Sequence, residues 1–137
     1  MNIGKQYKGN DDPLIFCEVE DLENKAIFFD ILHVNTAIQY VEKWKDLFGK
    51  LLSFAPQYIV LTRLLSGNSS TLITEEMVIG KKTPCIIINL EEFLAFFKHL
   101  GYAMIFISEC EGKLSFDKKI PRKYQIPCAL NLILEKI

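Results

Sequence analysis

Two histidines, four cysteines and scattered carboxylates are the groups in this 137-residue chain to test first for acid–base, nucleophilic or metal chemistry. Their spacing argues against all three. His33 lies inside an apolar run and reads as a satisfied core imidazole, while His99 falls near a helix C-terminus, where the dipole favours a cation. Cys17, Cys85, Cys110 and Cys128 are far apart, form no CxxC and have mostly apolar neighbours. They are expected to be reduced, buried thiols rather than disulfides or zinc ligands. No Ser-His-Asp, Cys-His or metal-ligand spacing occurs, and no metal is expected.

What remains is a set of polar residues at the ends of apolar runs. Glu18 closes Leu14-Ile-Phe-Cys, Asn35 and Thr36 follow Phe28–Val34, and Arg63 follows Tyr58-Ile-Val-Leu. The carboxyl ends of strands are where α/β proteins hold ligands. Each residue also has a plain structural explanation: an acid at a strand end, a helix cap at Asn35 or Thr36, a solvated loop arginine. Trp44 and the Phe93, Phe96, Phe97 stripe read as core, and Lys113–Lys123 as a solvated loop.

Those positions need a scaffold, and the hydrophobic pattern supplies one. Half of the residues are hydrophobic and 24% are charged, so a folded domain is expected. Residues 1–13 read as a loose leader and 14–137 as one domain. Leu14–Glu18 and Ile27–Ala37 suit strands, the second covered on both faces. Val41, Trp44, Leu47, Phe48, Leu51, Leu52 and Ala55 recur at helical spacing until Pro56 ends the pattern. Tyr58–Leu61 follows as a strand, which makes a unit of βαβ size. Thr71–Ile79 and Pro84–Ile88 read as a hairpin about Gly80-Lys-Lys-Thr83. Asn89 then caps a helix with Glu92 at its third position, and Gly101 stops it. Tyr102–Ser108 is expected as a third buried strand. Glu109–Pro127 reads as a polar loop, and Ala129–Leu134 as a closing strand that enters antiparallel. The fold class is α/β, with strands mostly parallel, an antiparallel last strand and an inserted hairpin.

A net charge of −1 offers no basic surface for nucleic acid, and no apolar run reaches the ~20 residues of a membrane helix. Neither nucleic acid nor membrane is an expected partner, and a cytoplasmic location is expected.

In order and spacing, the chain resembles the end of a class I S-adenosylmethionine-dependent methyltransferase. Cys17-Glu-Val-Glu-Asp-Leu22 and Phe29-Asp-Ile-Leu-His33 are similar to that family's G-D-A-E-D-L … F-D-v-v stretch. Asn35-Thr-Ala-Ile-Gln-Tyr-Val41 is similar to its s-g-v-L-Q-Y-i segment. Tyr58–Arg63, Lys82–Cys85, Asn89–Phe93, Gly101-Tyr102 and Asn131–Leu134 narrow the resemblance to a bacterial methyltransferase family found with cell-surface polysaccharide genes. The resemblance implies that Glu18, Val19, Asn35 and Thr36 contact S-adenosylmethionine and that Gln39 and Tyr40 face substrate; Arg63, by its place after a strand, would meet an anionic substrate. It also implies a sheet of order 3-2-1-4-5-7-6. The family's Gly-rich turn is missing, since no G-x-G follows an apolar strand. The chain therefore looks like the back half of a truncated Rossmann-like fold, starting near its third strand and without the cofactor turn. Its expected bare edge at Ile27–Asn35 needs a cover. Leu14–Glu18, a second copy or a separate protein would each serve, and self-association is the favoured expectation. A non-catalytic pairing module is the alternative to a methyltransferase.

Overall fold

The computed structural model describes residues 17–24, 28–111 and 120–137. Its elements are α1 (Val19–Asn24), β1 (Ile31–Asn35), α2 (Trp44–Leu52), β2 (Tyr58–Leu64) and β3 (Ser66–Gly67), followed by β4 (Leu72–Val78), β5 (Lys81–Asn89), α3 (Leu90–His99), β6 (Tyr102–Glu109) and β7 (Leu130–Lys136). The main sheet has the order β1-β2-β7-β6, and a second sheet has the order β3-β5-β4. β1 lies parallel to β2, whereas β7 is antiparallel to both β2 and β6. Three strands of the main sheet thus point one way. Only the last is reversed, as expected, and it is wedged between β2 and β6.

α2 and α3 cover one face of this sheet through aromatic packing. Trp44 and Phe48 meet Phe93, Phe96 and Phe97, with ring centroids 4.8 to 6.4 Å apart. These rings join Ile59, Leu61, Leu132 and Leu134 from the central strands in one core. The helical stripe read from the sequence is this interface.

α3 starts as its sequence predicts. The Asn89 Oδ1 accepts the Glu92 backbone N–H at 2.7 Å, and Asn89 Nδ2 donates to the Ser69 carbonyl at 3.1 Å. Asn89→Ala removes both bonds and is expected to cost about 1 kcal/mol in urea unfolding. The side chain of Glu92 is held in turn. Lys45 Nζ donates to it at 2.6 Å and Thr71 Oγ1 at 2.8 Å, and these bonds hold its carboxyl below the usual glutamate range. An acid with a depressed folded pKa stabilises the fold above its unfolded value, and that contribution is lost as pH falls through the depressed value. Acid titration of stability should therefore be less steep in Glu92→Gln than in the parent, measured by urea unfolding at successive pH values.

Several elements differ from the sequence reading. Val19–Asn24 is a short helix where a polar connector was expected from Asp21, with Glu20 and Asp21 in the first turn where the dipole favours acids. Leu14–Phe16 and the leader lie outside the described residues, and Cys17 and Glu18 are not in a strand. β1 begins at Ile31, and its burial alternates: Ile31 is 58% exposed while Leu32 and Val34 pack inward. A strand with one covered face alternates in this way. His33 is exposed, with Nε2 3.2 Å from Thr62 Oγ1.

The helical pattern expected over Val41–Ala55 yields the shorter α2, which ends at Leu52 before Pro56 is reached, and a 3-10 turn (Ile38–Tyr40) precedes it. Ser66–Gly67 pairs with β5 instead of forming loop only, and the hairpin turn tightens to Ile79-Gly80. Arg63 lies within β2, at a bulge and with φ +58°. β6 is an edge strand, not a buried one. Met104, Ile105, Phe106 and Ile107 are each 41 to 54% exposed, and no described strand pairs beyond β6.

Candidate functional site

The carboxyl ends of β1 and β2 lie side by side, since Asn35 is in register with Thr62. The Asn35 Oδ1 accepts two hydroxyls, Thr36 Oγ1 at 2.8 Å and Thr62 Oγ1 at 2.9 Å. Thr36 turns the chain away at φ +50°, with its N–H donating to the Thr62 carbonyl at 3.0 Å. Arg63 follows, its backbone N–H donating to Asn131 Oδ1 at 3.1 Å. Asn35, Thr36 and Arg63 therefore share one end of the sheet. Glu18 is exposed and precedes α1, and Val19 is that helix's first residue; the strand they were expected to follow, Leu14–Phe16, lies outside the described residues.

Gln39 and Tyr40 form a second group, in the 3-10 turn beneath the β4–β5 hairpin. Ile73, Pro84 and Ile86 of the hairpin enclose with them a cavity of about 160 Å³, to which Glu42 also contributes. Gln39 is only 3% exposed, and its Oε1 has no hydrogen-bond partner. The Tyr40 hydroxyl donates to the Glu76 carboxylate. Burial, and then that carboxylate, push the Tyr40 hydroxyl up to about 12. Burial likewise pushes the Cys85 thiol up to about 11, which keeps it protonated and inert at neutral pH.

Sequence reasoning singled out Gln39 and Tyr40 but missed Glu76, Ile73 and Pro84. The hairpin was legible from its alternation and turn. Its docking over the 3-10 turn is a long-range contact with no local signal. Thr62 was missed as well, though its place at a strand's carboxyl end would have flagged it.

The described residues do not fit S-adenosylmethionine as a complete site. Asn35 Oδ1 is already satisfied by two hydroxyls. No described glycine makes a cradle: a Cβ at Gly67 would meet Ile126, Gly49 is in mid-helix, and Gly80 and Gly101 serve turns. Among the described residues there is also no cluster of His, Cys, Asp or Glu able to hold a metal, and no helix long and apolar enough to cross a membrane.

The fold itself is that of a methyltransferase-like α/β domain. A candidate S-adenosylmethionine-dependent methyltransferase from Listeria monocytogenes is similar in structure, with a TM-score of 0.62 over 97% of this chain and 73% of that one. The two sequences are 10% identical, so the likeness is one of fold. No family model matches the chain, and no curated protein does.

Proposed function

We propose that this chain is the C-terminal portion of an S-adenosylmethionine-dependent methyltransferase domain and does not catalyse methyl transfer alone. The observation that carries the reading is the strand order β1-β2-β7-β6 with only β7 reversed, which is how the resembled family ends its sheet. In that family the cofactor turn belongs to a strand beyond β1. Here no described strand pairs with the outer edge of β1, and the sequence contains no Gly-rich turn. Asn35 and Thr36, at the carboxyl end of β1, would then form one wall of the cofactor pocket, and a second surface along that edge would form the rest. A second copy of this chain, or a protein supplying the missing half, would pair there.

The second reading is a methyltransferase-like module that only pairs and never binds cofactor. The satisfied Asn35 carboxamide favours it. Isothermal titration with S-adenosylhomocysteine, run beside sedimentation of the same sample, separates the two. Saturable binding, weakened by Asn35→Ala, supports the methyltransferase. A dimer without binding supports the module, and a monomer without binding defeats self-pairing and autonomous activity together.

A further inference from the structure

We propose that the cavity between the Ile38–Tyr40 turn and the β4–β5 hairpin binds a small organic cation, an ammonium or guanidinium group on a short apolar stem. The buried Gln39 carboxamide is the first reason. Among the described residues, its Oε1 is the buried side-chain polar atom left without a partner. Such an atom is costly unless something else satisfies it. Gln39 itself lines the cavity.

The rest of the lining selects the ligand. Glu42 is exposed at the cavity and makes no ion pair among the described residues. Tyr40 supplies an aromatic ring to the lining, and its hydroxyl proton is already committed to the carboxylate of Glu76. A cation over an aromatic face is attracted by the ring quadrupole. The hairpin lysine Lys82 is paired with Glu75, and Lys45 with Glu92. The one charged residue that lines the cavity is thus an unpaired carboxylate, Glu42, among the described residues. Ile73, 60% exposed, and Pro84 supply apolar walls that would bury the stem. An anion would face carboxylates here, and a purely apolar guest would leave Gln39 unpaired.

The site uses no cofactor contact, so it can fail while the methyltransferase reading stands, and the reverse. The test is titration of the full chain with n-butylammonium chloride, followed by backbone amide NMR at constant ionic strength. Saturable shifts centred on Gln39–Glu42, Ile73 and Ile86 are expected, with n-butanol producing none. Glu42→Gln, at an exposed position, should weaken binding about tenfold. Gln39→Leu should abolish the shifts while leaving the thermal midpoint unchanged or higher. Equal binding of butanol and butylammonium would reduce the site to an apolar dent and overturn the proposal. So would butylammonium shifts that are absent or scattered over the surface, or full binding by the Glu42→Gln variant.

Discussion

Phe48→Ala is expected to destabilise the chain by about 3–5 kcal/mol, read as a fall in the urea midpoint with the slope unchanged. Phe48 is fully buried at the junction of both helices and the sheet. Its ring stands edge-on to Phe97 at 4.9 Å, to Phe93 at 6.2 Å and to Trp44 at 6.4 Å. Truncation removes the transfer energy of the ring and leaves a hole among neighbours fixed by their own backbones. A domain of this size has about 5–15 kcal/mol in total, so the variant should be poorly folded at 37 °C. Phe48→Leu, which keeps most of the volume, should lose far less. Equal losses for the two variants would mean that α2 is not the core element its packing makes it.

Gly67→Ala is expected to cost about 1–3 kcal/mol despite adding a single methyl. A Cβ at Gly67 would lie 2.6 Å from Ile126 Cγ2, well inside contact distance. Isoleucine is stiff at χ1 and yields poorly, and the loop carrying it packs with Leu65, Cys85 and Ala129 in a small second core. The strain should be relieved by removing the obstructing methyl. Ile126→Ala is destabilising by itself, yet the double variant should be more stable than the sum of the two losses. Urea unfolding of all four proteins gives that coupling energy directly, and simple additivity would show that the glycine is there for another reason.

Those two positions differ in what announced them. Phe48 declared itself through its neighbours at helical spacing, because a buried helix face must repeat every three to four residues. Gly67 was legible only as part of a flexible Ser-Gly-Asn-Ser-Ser loop, since the obstructing residue is far along the chain. The same contrast runs through the candidate site. Asn35, Thr36, Gln39 and Tyr40 could be singled out from strand ends and family resemblance, whereas the helix that begins at Val19 was read in part as a polar connector. A helix of six residues has too little periodicity to signal itself, and its acidic first turn reads equally well as a loop.

Local interactions wrote the rest of what could be read in advance. The Asn89 cap, the Gly101 turn at φ +83° and the antiparallel return of β7 depend on residues close in the chain or on connection length. Tertiary structure alone decided which faces lie open. β6 is as apolar as the central strands, yet it forms an edge with Met104 to Ile107 exposed, because burial depends on what packs beside a strand and not on its own residues. It likewise decided that the hairpin closes over Gln39 and leaves its carboxamide oxygen without a partner, since hydrogen-bond satisfaction is settled by groups that meet only when the chain is folded.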